Sequence, residues 1–162
     1  MNVIRLTYTL ALLLLSQFTF SQEVLPSADL INTKGETVNI KEYTTTGSPK
    51  LISLWATWCG PCRMELNALK KVSDRWKSEY DVEIIAISVD MPQMVNRARA
   101  MFEKNGWDYT FLHDNNQELM EKLGIQNIPY SMLIDGNGKV QSVQMGYYPD
   151  YEKHLEKKIK QL

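Results

Sequence analysis

The chain reads as an α/β protein with a mixed central sheet flanked by helices, and three observations lead there. From Lys50 onward, apolar runs of strand length alternate with segments of helical periodicity. The only two cysteines stand as Cys59-Gly60-Pro61-Cys62, at a corner between one such run and one such segment. Near the end, Asp135-Gly136-Asn137-Gly138 joins two apolar runs ahead of a last helical stretch, so part of the sheet is antiparallel.

With 162 residues, 44% hydrophobic and 23% charged, the chain suits one globular domain with a substantial core. Its net charge is −1, so no basic field argues for nucleic acid and no acidic tail for a charged partner. Residues 1–21 read as an export signal: Arg5, the apolar run Leu10–Leu15, then small residues Thr19 and Ser21 before a cleavage point at Gln22. An uncleaved N-terminal anchor is the rival reading, but the run is short and Gln17 interrupts it, whereas a span wants ~20 apolar residues. The expected domain is therefore 22–162, in an exported and disulfide-permissive setting, the periplasm.

Residues 23–49 are polar and turn-rich, with Thr33-Lys34-Gly35-Glu36 turning between strands at Asp29–Asn32 and Thr37–Ile40. Lys50–Trp55 is a buried strand. From Pro61 to about Tyr80 one helix is expected, with Cys62, Leu66, Leu69, Val72 and Trp76 on its inner stripe and Glu65 as the one charge there. Val82–Val89 is a strand covered on both faces. Asp90 and Pro92 signal the next helix, whose apolar face is Met94, Val95, Ala98, Met101 and Phe102, and Gly106 ends it. Tyr109–Leu112 is a strand, and Asn115 or Asn116 caps a short helix closed by Gly124. Strands at Tyr130–Ile134 and Lys139–Met145 precede a final helix that buries Tyr151, Leu155 and Ile159. His113, His154 and the Arg97/Arg99 pair are read as surface or helix-end residues, and Met94, Met101 and Met120 as core filler.

Two thiols at Cys-x-x-Cys spacing can close a disulfide across one turn when Cys59 begins a helix and Cys62 lies inside it. Pro61 is tolerated in that first turn. There Cys59 faces the positive end of the helix, which stabilises its thiolate and lowers its pKa. Such a thiolate attacks a disulfide to give a mixed disulfide, and Cys62 then attacks Cys59 and releases the reduced target. An inert staple is the competing reading, yet a bridge closing so small a loop removes little chain entropy. A zinc site lacks a second ligand pair at finger spacing, since His113 and His154 are the only histidines. Glu65, on the same stripe as Cys62, is expected to be partly buried, with a raised pKa, and able to take the Cys62 proton.

Trp55-Ala56-Thr57-Trp58-Cys59-Gly60-Pro61-Cys62 resembles the active-site sequence of thioredoxin-like proteins. Ile128-Pro129 resembles that family's cis-proline, and an extra helix and strand at about 92–112, with Glu65 and the export signal, resembles its TlpA/ResA branch. The resemblance implies a thioredoxin-like fold with an extra helix-strand insertion, and a protein-disulfide oxidoreductase, most simply a reductase. Trp58, Gly60, Pro61, Ile128 and Pro129 would meet the client, with the Ile128 backbone pairing to an extended segment. It implies no cofactor, a monomer, a membrane thiol-disulfide electron donor, and apocytochrome c as a candidate client. Two positions depart from the family: Ser53 stands where thioredoxins carry a buried aspartate, and Asn67 where the TlpA branch has a proline. A disulfide donor or isomerase, or a non-enzymatic copper-delivery factor, are the alternative functions.

Overall fold

The computed structural model describes residues 24–162, so the expected leader at 1–21 lies outside the described residues. Among those described, no helix is long and apolar enough to cross a membrane. The strands are β1 (Asp29–Asn32), β2 (Thr37–Asn39), β3 (Lys50–Trp55), β4 (Glu83–Ser88), β5 (Thr110–His113), β6 (Tyr130–Ile134) and β7 (Val140–Met145). The helices are α1 (Lys41–Thr44), α2 (Gly60–Leu69), α3 (Ser73–Tyr80), α4 (Val95–Asn105), α5 (Glu118–Lys122) and α6 (Tyr151–Ile159). One sheet runs in the order β2-β1-β5-β4-β3-β6-β7. β3, β4 and β5 are parallel, and the pairs toward both edges are antiparallel.

β3 is the middle of the core. All six of its residues are buried, as its continuous apolar run requires of a strand covered on both faces. Its end delivers the chain to the Cys59–Cys62 corner. The pairing of Leu54 with Tyr130 brings the Ile128-Pro129 segment to the same end of the sheet.

The helix expected from Pro61 to Tyr80 is two helices, broken at Lys70–Val72. No glycine or proline stands there, so the break comes from tertiary contacts. The Tyr109 hydroxyl donates to the Leu66 carbonyl at 2.8 Å and shares it with the Lys70 amide. Beyond that point Lys71 and Val72 bond three residues back, to Ala68 and Leu69, which tightens the last turn. The inner stripe survives the break, with Leu66, Leu69 and Trp76 buried.

The insertion, α4 and β5, is seated by aromatic packing. Trp107 meets Trp55 edge-on at 5.3 Å and Phe102 at 5.7 Å, and Phe102 meets Phe111 at 5.2 Å. Its polar ends depart from the sequence reading. His113 is buried rather than superficial, because it closes a strand covered on both sides. Asp90 does not cap α4: its side chain turns inward and is 1% exposed. Asp114, rather than Asn115 or Asn116, accepts the Leu119 and Met120 amides at the start of α5. Met94, Met101 and Met120 are partly buried, as is Arg99, while Arg97 and His154 are exposed.

Candidate active site

Where β3 ends, the chain turns through Ala56–Trp58 and enters α2. The Cys59 amide donates to the Ala56 carbonyl at 3.0 Å and closes that turn. Cys59 is the N-cap, with extended backbone angles (φ −83°, ψ 101°), and Pro61 lies in the first turn of the helix. Cys59 and Cys62 are joined by a disulfide. The Cys62 amide donates to the Cys59 sulfur at 3.2 Å, the position from which a helix N-terminus stabilises a thiolate. Of the two sulfur-bearing residues Cys59 is the more accessible, yet only 5% exposed, so the pair is reached through a narrow opening.

Glu65 faces inward with the stripe, fully buried rather than partly as expected, and one helical turn from Cys62. The Ser131 hydroxyl donates to its Oε1, while Oε2 has no partner inside hydrogen-bond reach. The Ser53 hydroxyl faces the same carboxyl without a well-formed hydrogen bond. Burial is the larger influence and pushes the Glu65 carboxyl up to about 7, against the pull of Ser131 and Ser53. Tyr151 from α6 is buried in the same neighbourhood, and burial together with Glu65 lifts its phenol well above the ordinary range.

The Ile128–Pro129 bond is cis. Pro129 is buried and its carbonyl accepts the Gly146 amide at 2.8 Å, while Ile128 is half-buried. Ile128 and Trp58 line one groove of about 310 Å³, with Val89, Met120 and the amides of Gln117 and Gln126. Gly60 and Pro61 line a different groove, of about 610 Å³, with Arg63, Met64, Met101 and Lys104. The residues expected to meet a client therefore flank the pair on two sides. Trp58 is 71% exposed and stands over the first groove. Among the described residues no group of three or more His, Cys, Asp or Glu side chains is placed to hold a metal ion.

Sequence reasoning missed Ser131 and Tyr151 around Glu65, and Asp90, Thr57 and His113 beneath the Cys59 loop. Ser53 and Ser131 carried a legible signal: each is a hydroxyl in an otherwise apolar run, and they are direct partners across β3 and β6. Asn67, in place of the family's proline, is exposed. Its side-chain oxygen accepts the Trp107 indole N–H at 2.8 Å, and Glu65 is buried regardless.

Residues 22–143 match the model of the AhpC/TSA family. The thiol-disulfide oxidoreductase ResA of Geobacillus kaustophilus is 27% identical over 133 residues, 81% of this chain and 74% of that one. An uncharacterized thioredoxin-like protein from Porphyromonas gingivalis is 36% identical and superposes with a TM-score of 0.76, over 85% of this chain and 90% of its own. A Chlorobium tepidum protein assigned as the thiol:disulfide interchange protein DsbE has the same TM-score at 26% identity, over 86% and 95%.

The buried Glu65 carboxyl predicts how stability varies with pH. Its proton affinity is raised on folding, from 4.5 to about 7. The folded state then holds a proton that the unfolded chain releases, and this contribution is complete below 4.5 and lost as pH rises through about 7. Its full size is on the order of 3 kcal/mol. In urea melts of the oxidised protein, Glu65→Gln should gain stability relative to wild type between about pH 4 and about pH 8. An equal difference at both ends would show the carboxyl to be solvated.

Proposed function

The chain belongs to the AhpC/TSA family and is a thioredoxin-fold thiol-disulfide oxidoreductase of the ResA kind, and from that premise we propose that it is an exported reductase of disulfides in other proteins. The observation that carries this reading is the fully buried Glu65 carboxyl, pushed up to about 7, one turn below a cysteine pair at a helix mouth. A carboxyl of that affinity can accept a thiol proton near neutral pH and give it up again.

In the reaction the reduced pair carries Cys59 as thiolate, facing the Cys62 amide. Cys59 attacks one sulfur of the client disulfide, and the other client sulfur leaves as a thiolate that takes a proton. Cys62 yields its proton to Glu65 and attacks the Cys59 sulfur. The second client sulfur leaves, and the Cys59–Cys62 disulfide remains. Two electrons from a donor restore the dithiol. Trp58 and Ile128 border the client's path on one side and Gly60 and Pro61 on the other, and Pro129 sets the backbone direction of Ile128. An extended client segment can pair with that backbone as an added strand.

The donor in this scheme is a membrane thiol-disulfide transporter, the client includes apocytochrome c, and the enzyme works as a monomer. Residues 1–21 direct export, so protein recovered from cells should begin at Gln22 by N-terminal mass mapping. An intact Met1 terminus on the recovered protein would argue for an anchor instead.

Gly60-Pro61 between the cysteines resembles the thioredoxin pair, which supports a reducing potential, nearer ~−270 mV than ~−120 mV. Equilibration against glutathione or thioredoxin measures it, and a value at the oxidising end would make the protein a disulfide donor. Copper binding by the reduced protein in a metal titration would favour delivery over reduction.

Glu65→Gln keeps shape and removes the base. It should slow release of the reduced client roughly 10- to 100-fold and change the first attack by Cys59 less. Single-turnover kinetics that follow formation and resolution of the mixed disulfide separately decide this. Resolution at the wild-type rate would remove Glu65 from the mechanism.

A further inference from the structure

Three acids are buried among the described residues, Glu65, Asp90 and Asp114, and the reaction uses only Glu65. Asp114 holds the start of α5, and Asp90 follows β4 and is 1% exposed. Neither of its oxygens meets a lysine, arginine or histidine side chain among the described residues. Instead three neutral donors converge on the carboxylate. The Thr57 amide reaches Oδ2 at 2.9 Å, the Thr57 hydroxyl reaches Oδ1 at 2.7 Å, and the Ser88 hydroxyl reaches Oδ2 at 3.0 Å. A buried carboxylate without a counter-ion is tolerated only while such donors hold it. Two of the three come from a single residue, two positions before Cys59.

Ala56 and Cys59 of that segment are buried in the core, while Trp58, between Thr57 and Cys59, is 71% exposed and lies along the groove it shares with Val89 and Ile128. The Cys59–Ala56 amide bond closes the turn on itself but does not tie it to the sheet. The tie is Asp90, and Asp90 is held in turn. Its carbonyl accepts the His113 Nε2–H at 2.8 Å, because a carbonyl can only accept. Just before it in the chain, the Val89 amide donates to the Trp55 carbonyl at 2.8 Å and the Ser88 carbonyl accepts the Asp114 amide at 2.8 Å. The chain of contacts thus runs from the inserted strand β5, through His113 and Asp90, to Thr57 and the loop that presents Cys59.

We propose that Asp90 is a positioning residue for the redox pair: its carboxylate clamps Thr57, and the clamp holds the Cys59 sulfur against the first amides of α2, where its thiolate is stabilised. This gives the inserted helix-strand segment a task at the site. The proposal rests on Cys59 being the attacking thiol. When the clamp loosens, Cys59 drifts from the Cys62 amide, and its thiolate loses a donor. Of the other buried ionisable groups, His113 bonds the Asp90 carbonyl and Asp114 accepts the first amides of α5, while Glu65 on α2 and Tyr151 on α6 are not part of the clamp.

The test uses Thr57→Val, which keeps the backbone amide and nearly the shape but removes the hydroxyl donor, and Thr57→Ser, which restores a hydroxyl. Iodoacetamide labelling of the reduced full chain is followed across pH, with mass spectrometry assigning the label. For Thr57→Val the Cys59 midpoint should rise by about one unit, and labelling at neutral pH should slow roughly threefold, since a more basic thiolate is also more nucleophilic. Thr57→Ser should stay within about twofold of wild type. A purely structural residue would lower the melting temperature and leave the midpoint unmoved, and that outcome overturns the clamp while Cys59 stays the nucleophile. Wild-type protein labelled first at Cys62 overturns the nucleophile assignment and the clamp with it. Should Thr57→Val not fold, Asp90→Asn serves. Removing a negative charge alone would lower the Cys59 midpoint, whereas loss of the clamp raises it, so a fall or no change overturns the proposal.

Discussion

A sulfur at the open end of a helix has few donors to face, and here the Cys62 amide, at 3.2 Å, is the one that reaches Cys59. That contact depends on where the chain leaves the sheet. β3 is buried along its whole length and cannot slide without moving apolar side chains out of the core, so its end is a fixed point. The helix begins five residues later, at Gly60, and both cysteines follow from that start: one at the cap, the other inside the first turn. Access is then restricted by burial, with Cys59 scarcely exposed and Cys62 closed off altogether. The two sulfurs thus differ in depth, and only Cys59 has any surface open to a partner.

Beneath the pair, the number of hydrogen bonds decides what burial does to a carboxyl. Glu65 has one firm donor, Ser131, and an oxygen left without a partner. Desolvation therefore dominates and brings its proton affinity to the neutral range. Ser53 matters by what it is not: an acid at that place would set a second carboxyl facing Glu65, whereas a hydroxyl adds only a weak dipole. Asp90, on the other side, has its acceptor positions filled by Thr57 and Ser88. The one carboxyl keeps an oxygen without a partner, while the other is an acceptor for the loop that presents Cys59.

The insertion links these features. Trp107 and Phe102 seat α4 against Trp55, the last residue of β3. Tyr109 and Trp107 bond to the back of α2, at Leu66 and Asn67. The same segment that supplies His113 therefore also determines where α2 stops. The arrangement is built from packed aromatic rings and partly buried hydrogen bonds rather than from surface ion pairs, which contribute little each.

What the sequence by itself determined are the features written in local pattern. The apolar run 50–55 is a strand because nothing in it tolerates water, Gly60-Pro61 starts a helix because of its backbone limits, and Asp135–Gly138 turns a hairpin. The inward face of Glu65 follows from helical phase alone. Tertiary structure decided what depends on partners distant in the chain. The break after Leu69 arises where Tyr109, 43 residues from Leu66, shares a carbonyl that a lone helix would keep to itself. The burial of His113 and the inward turn of Asp90 come from a parallel strand order, and no local signal marks either. Asp90 carries the same side chain as a helix cap, and Thr57, 33 residues away, supplies with Ser88 the donors that make turning inward the cheaper way to satisfy it.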